Sequence, residues 1–277
     1  MKKNKKKRKR IVLLILLVAL ILYIVIGFAQ TELVVTEYTY QSSKVPEAFD
    51  GYKIVLVSDL HHKNFGEHQA DLIKAIKEAE PDLILMTGDI ADKNHTDMTP
   101  IEDFVKGISK IAPAYYVSGN HELDKKAQNQ YAALENLFQE YGIIDLDDSS
   151  VEIKKGNDSI YLHGQKYRSY HIAKTLERAN EEYFNILMYH GSNYFDKISD
   201  YGYDIVMAGH THGGIVRLPI VGGVIGNARE LFPEYDGGVF VEHNSTMFSS
   251  RGLGDADVPR FYNPPEIVVV TLKCNSK

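Results

Sequence analysis

The hydrophobic positions fall into three textures along the chain. Ile11 to Phe28 is a nearly unbroken apolar run of about 18 residues, enough to cross ~30 Å of hydrocarbon as a helix. Short apolar runs then alternate with amphipathic stretches. Leu33 to Ser42 alternates as a first strand, and Tyr52 to Val57 reads as a buried one. His68 to Ala79 has helical spacing, with Leu72, Ile73 and Ile76 on one face and Pro81 beyond its end. Asp82 to Thr87 predicts a strand, Ile101 to Ile111 a helix, Pro113 to Val117 a strand, and Lys125 to Tyr141 a helix closed by Gly142. This alternation is the signature of parallel strands joined by crossover helices. After Gly142 the texture changes. Val151–Lys154 and Ser159–Gly164 predict a hairpin around Gly156–Asn157. A helix over Ile172–Asn180 and strands over Phe184–Tyr189 and Asp204–Ala208 follow. Gly213 to Leu272 reads as antiparallel β. The expected architecture is an α/β sandwich of two packed mixed sheets with helices outside.

Charge changes the picture at the N-terminus. Lys2, Lys3, Lys5, Lys6, Lys7, Arg8, Lys9 and Arg10 are eight basic residues with no acid among them. Removing them from the 31 basic residues leaves 23 against 37 acidic ones, a net of −14 where the whole chain carries −6. An acidic body of this kind lacks the basic footprint of a nucleic-acid binder, so no nucleic-acid partner is expected. A basic flank before an apolar span keeps the N-terminus in the cytoplasm and exports the rest. A cleaved signal peptide is the competing reading; it calls for a shorter apolar core and small residues at A-x-A spacing, and Ile26-Gly27-Phe28-Ala29-Gln30-Thr31 lacks that spacing. The segment is therefore read as an uncleaved signal anchor. The expected division is a basic cytoplasmic tail (1–10), a transmembrane anchor (11–28), a linker with the first strand (29–50) and an extracytoplasmic domain (51–274) on a single-pass membrane protein. The single cysteine, Cys274, excludes an internal disulfide framework and a cysteine-based zinc site.

Five short motifs follow predicted strands, where ligands bind in parallel α/β sheets. They are Asp59-Leu60-His61, Gly88-Asp89-Ile90-Ala91-Asp92, Gly119-Asn120-His121-Glu122, His190-Gly191 and Gly209-His210-Thr211-His212-Gly213-Gly214. Singly, the first, second and fourth read more readily as turn, capping or packing residues than as ligands. Together they supply Asp, His, Asp, Asn, His, His and His, an N/O set sized for two divalent cations with no thiolate required. Arg168, Arg229 and Arg251 suit phosphate chemically but read first as surface arginines.

This ordered set resembles the calcineurin-like metallophosphoesterase superfamily over about Tyr52 to Leu272. The tail, Ser250-Arg251-Gly252-Leu253-Gly254 and Asn263-Pro264-Pro265-Glu266-Ile267, is similar to the membrane-associated bacterial branch. The resemblance implies a four-layer αββα sandwich of two mixed sheets flanked by helices. It implies one metal held by Asp59, His61, Asp89 and His212 and a second by Asp89, Asn120, His190 and His210, the ions being manganese, iron or zinc. It further implies hydrolysis of phosphodiester or pyrophosphate bonds by a hydroxide bridging the metals, with His121 as catalytic acid paired with Asp92, and a phosphate-ester substrate with lipid-linked esters as one option. The alternatives are a phosphomonoesterase or a catalytically silent, metal-binding envelope scaffold. Some members of the family carry a small or glycine-rich segment after the first motif; here it is His62-Lys63-Asn64-Phe65, which leaves local substrate contacts open.

Overall fold

The computed structural model describes residues 2–226, 229–255 and 259–275; Met1, the start of the expected basic tail, lies outside them. In chain order the elements are α1 (Lys2–Phe28), β1 (Val34–Ser42), β2 (Lys53–Val57), α2 (Ala70–Glu78), β3 (Leu83–Thr87), α3 (Thr99–Ile108), β4 (Ala114–Val117), α4 (Gln128–Tyr141), β5 (Ile144–Asp145), β6 (Ser149–Lys155), β7 (Asp158–Gln165), α5 (Ile172–Thr175), β8 (Asn185–Gly191), α6 (Phe195–Ile198), β9 (Ile205–Gly209), β10 (Val216–Leu218), β11 (Gly222–Ile225), β12 (Gly238–Glu242), β13 (Ser245–Ser249) and β14 (Glu266–Cys274).

Two six-stranded sheets form the body. The first runs β1-β14-β2-β3-β4-β5 and the second β12-β13-β9-β8-β7-β6. β2, β3, β4 and β5 are mutually parallel, as the strand–helix alternation predicts. The period-two alternation of a strand divides its buried side chains between two cores. In β3, Ile84 and Met86 face α2, α3 and α4, while Leu83 and Leu85 meet Ile186, Met188, Ile205 and Met207 of the second sheet. Leu187, Tyr189, Val206 and Ala208 point the other way, onto Ile172, Phe195 and Ile198 of α5 and α6. The result is the expected four-layer αββα sandwich of mixed sheets, preceded by one apolar helix.

Two expectations are revised. The helix expected over Ile172–Asn180 ends at Thr175. Its continuation is taken up by tertiary hydrogen bonds: Ala179 N–H donates to the Tyr201 carbonyl (2.9 Å) and the Tyr203 hydroxyl donates to the Glu177 carbonyl (2.9 Å). The C-terminal third is only partly antiparallel. β12–β13 and β10–β11 are hairpins, but β13 joins β9 in parallel, and β14 runs parallel to β1 and antiparallel to β2.

Candidate metal centre

All five motifs leave the carboxyl ends of β2, β3, β4, β8 and β9, and both sheets present those ends to the same space. The exits are sharp. Asp59, His61, Asp89, His210 and His212 all have left-handed backbone, with φ of 54°, 47°, 53°, 77° and 49°, a region that non-glycine residues occupy at a cost. Glycines supply the close approaches. A Cβ on Gly88 (φ +82°) would stand 2.6 Å from the Gly119 Cα, and one on Gly209 would stand 2.5 Å from Asp59 Oδ2.

The seven sequence-predicted ligands come together. Asp59, His61 and His212 offer ligand atoms within 4.8 Å of one another; so do Asp89, His190 and His210, and so do His61, Asp89 and His121. Asp59 Oδ1 lies 3.3 Å from His212 Nε2, and Asp89 Oδ2 lies 3.1 Å from His190 Nε2 and 3.8 Å from His61 Nε2. Asn120 Oδ1 and His210 Nδ1 each lie 3.1 Å from His190 Nε2. His190 Nδ1 meets the Thr87 carbonyl at 2.6 Å, which orients its Nε2 into the cluster.

The chemistry of this set fits cations. Asp59 Oδ1 and His61 Nε2 are buried without a hydrogen-bond partner, a costly state for polar atoms unless something else satisfies them. Several imidazoles and carboxylates are packed out of water, so they titrate against one another. Burial pulls His190 down, but the Asp89 charge and hydrogen bond, the Asp59 charge and the Thr87 carbonyl together outweigh it and hold His190 at about 9. Burial and the His190 charge push His210 down to about 3. Burial raises Asp89, yet His190, His61 and His121 together hold it well below the carboxylate range. A metal-free cluster thus keeps a proton on His190 where a cation would replace it.

Asp92 departs from expectation. Its carboxylate meets His61 Nδ1 at 3.4 Å and His95 Nδ1 at 3.0 Å and accepts the Asn94 and His95 N–H groups. Among the described residues it makes no hydrogen bond to His121, whose Nδ1 is buried without such a partner. Burial lowers the His121 pKa, and the Asp89 and Asp92 charges oppose that shift.

Three contributors escaped the sequence reading. Glu122, the last residue of its motif, is buried and accepts N–H groups from Asp89 (2.9 Å), Ile90 (2.6 Å), Ala91 (3.0 Å) and Gly119 (3.0 Å), tying the β3 and β4 exits together. Arg260, 7% exposed, reaches within 3.4 Å of His212 Nδ1 and donates to the Arg251 and Gly254 carbonyls. His62 meets the Asp97 carbonyl through Nδ1 (2.9 Å) and accepts the Asp92 N–H through Nε2 (3.1 Å), fixing the Asp92 turn. Only Glu122's place in a motif gave a signal; Arg260 and His62 carry none. Arg168 and Arg251 are paired with Asp148 and Glu266, and Arg229 is exposed.

Comparison with known proteins agrees with this geometry. Residues 52–214 match the profile of the calcineurin-like phosphoesterase family. The chain is 31% identical to the uncharacterized metallophosphoesterase YkuE of Bacillus subtilis, over 86% of this chain and 85% of that protein. It is 24% identical to the phosphodiesterase YaeI of Escherichia coli, over 80% and 82%. It is 22% identical to the UDP-2,3-diacylglucosamine pyrophosphatase LpxG of Chlamydia muridarum, over 82% and 86%.

Proposed function

The chain belongs to the calcineurin-like phosphoesterase family and is a phosphoric ester hydrolase, and on that premise we propose that it cleaves phosphodiester or pyrophosphate bonds at a two-cation centre outside the membrane that α1 spans. Asp59, His61, Asp89 and His212 would hold one divalent ion, and Asp89, Asn120, His190 and His210 the other. The observation that carries this reading is the position of Asp89, which belongs both to the group with His61 and His121 and to the group with His190 and His210. Divalent cations at such a site supply Lewis-acid stabilisation of phosphoryl charge and lower the pKa of water.

The chain's own residues do the positioning. Asn120 offers an uncharged oxygen, which limits the negative charge facing the phosphate. His121 stands at the cavity lined by His61, Asp89, Asp92, Asn120, His210 and His212, and its backbone N–H donates to Asp89 Oδ1 (2.8 Å). From there its ring N–H is the group that hydrogen-bonds and protonates the leaving oxygen, a contribution typically of ~10²–10⁴-fold. Asp92 acts through His61, whose ring it orients, and is a positioning residue in this reading. The names of YaeI and LpxG support diester and pyrophosphate substrates, the latter in a lipid-linked compound. The eight basic residues before the apolar span support an extracytoplasmic catalytic domain.

The test is turnover of bis-p-nitrophenyl phosphate with added manganese, alongside metal analysis. Asp89→Ala is expected to lose metal and activity together. His121→Ala is expected to keep metal and lose activity by ~10²-fold or more. A His121→Ala protein as active as the parent sinks the acid assignment; a metal-replete, active Asp89→Ala sinks the shared site.

A further inference from the structure

The end of the molecule that carries the metal centre is also the end from which α1 departs. β14 begins at Glu266 opposite Val34, the first residue of β1, and pairs Val268 with Leu56 near the end of β2. The carboxyl ends of the site strands are therefore level with the start of β1. Five residues, 29–33, separate that start from the end of α1, and an extended chain covers at most ~3.6 Å per residue. The metal centre thus lies close to whatever surface α1 enters.

The depth of the body on α1 is fixed by direct contacts. The Tyr262 N–H donates to the Gly27 carbonyl (2.8 Å) and its hydroxyl to the Tyr23 carbonyl (3.0 Å). The Phe261 ring meets Phe28 and Tyr23 at centroid distances of 5.0 and 6.0 Å. Tyr23 lies inside the apolar segment, whose helix of Lys5–Phe28 is long and apolar enough to cross a membrane. Phe261 and Tyr262 consequently share the level of its last turn, where aromatic residues gather at the headgroup boundary.

β10 hangs from this pair. Phe261 and Arg217 exchange backbone contacts with Val216 and its neighbours, Arg217 N–H donating to the Phe261 carbonyl (2.9 Å) and Phe261 N–H to the Ile215 carbonyl (3.1 Å). The β10–β11 turn exposes Ile220 completely and Val221 at 58%. Ile220 has φ +74°, a turn position that glycine fills at no cost and a β-branched residue does not. Leu231 bridges Ile225 of β11, and Phe232 N–H donates to the Val224 carbonyl (3.0 Å); their side chains are 70% and 63% exposed. The β10–β11 hairpin and the segment bridged to it thus expose four large apolar side chains. Gln30, the second residue past α1, lines one cavity with Ile220 and Tyr262. The next residues of the same segment, Pro233, Glu234 and Tyr235, line a cavity of about 380 Å³ that opens on His210.

We infer that Ile220, Val221, Leu231 and Phe232 form a lip that enters the lipid surface spanned by α1 and holds the mouth of the metal centre against that surface. The inference rests on α1 crossing a bilayer and is independent of the reaction catalysed. Apolar residues grouped beside a spanning helix gain free energy by leaving water for the acyl boundary, whereas exposed to water they are a liability.

The chain contains no tryptophan, so a single introduced one reports alone. Full-length protein in phosphatidylcholine–phosphatidylglycerol vesicles would carry Ile220→Trp, Phe232→Trp or, as reference, Asn157→Trp. Asn157 lies in the β6–β7 turn, at the opposite end of the second sheet from His190. The expected result is blue-shifted emission from Ile220→Trp and Phe232→Trp, quenched by lipids brominated high on the acyl chain, with Asn157→Trp unquenched. Emission from the lip positions indistinguishable from Asn157→Trp overturns the inference. A blue shift that grows with protein concentration and ignores brominated lipid also overturns it, since a second copy would then cover the lip.

Discussion

Glu122 shows how much of the centre depends on a residue that touches no predicted ligand atom through its own chemistry. Its two carboxylate oxygens accept four backbone N–H groups, two each, which uses the acceptor capacity of a carboxylate in full. Burial, and after it the Asp89 charge, push its pKa up to about 7 despite those donors. Such a group is held by geometry and not by solvation, and its donors have no water to turn to. Glu122→Gln keeps the shape but faces two of the N–H groups with an NH₂. Leaving a buried donor unsatisfied costs ~1–3 kcal/mol each, so a loss of roughly 2–6 kcal/mol is expected by the same reckoning. Urea unfolding of the parent and variant, both metal-free, measures it; coincident midpoints at equal slope would remove Glu122 from this role. The sequence placed Glu122 beside Asn120 and His121 and gave it no task. The task is to join Gly119 of its own motif to Asp89, Ile90 and Ala91, about thirty positions away, which no local pattern displays.

At the scale of elements, the clustering of the candidate ligands was legible because each motif follows an apolar run that reads as a buried strand. The polar residue after such a run lies at the strand's carboxyl end, and parallel strands bring those ends together. The same logic explains what was not legible. The pairing of β1 with β14 joins opposite ends of the chain, and the shortening of the 172–180 helix follows from Tyr201 and Tyr203; neither leaves a trace in local periodicity. The Asp92–His121 pair implied by the resemblance is absent for a related reason: the Asp92 carboxylate is engaged by His61 and His95 instead. The strand exits also make a prediction. Gly209 closes β9 against Ser58 and Asp59 at the exit of β2. A methyl there must push Asp59 away from His212, since both nearest neighbours are packed site atoms. Gly209→Ala is expected to fold, to lose the ion held on the Asp59 side first, and to show about half the parent's metal content by elemental analysis if the two sites load independently. Full metal content with parental turnover would mean that the β2 exit tolerates displacement.

On the scale of the whole molecule, the centre is a seam between the two sheets. Asp59, His61, Asp89 and Asn120 follow strands of the first sheet, and His190, His210 and His212 belong to the second. Without cations, this seam holds unpartnered buried atoms and a proton on His190. With them, each ion would be bonded to both sheets and would tie the halves of the sandwich. An ion that binds only the folded chain stabilises it by RT ln(1 + [L]/Kd), about 2.7 kcal/mol at a hundredfold excess over Kd. Stripping the ions with a chelator is therefore expected to lower the melting temperature of the parent by several degrees, as ~1 kcal/mol shifts a domain of this size by roughly 2–4 °C. Restoring manganese should recover it in proportion to the logarithm of concentration. Asp89→Ala, lacking the carboxylate common to both ligand groups, should melt at one temperature with or without chelator. A parent whose melting ignores the chelator would show that the two sheets are held by their apolar contact alone, and that the clustered side chains contribute chemistry without contributing cohesion.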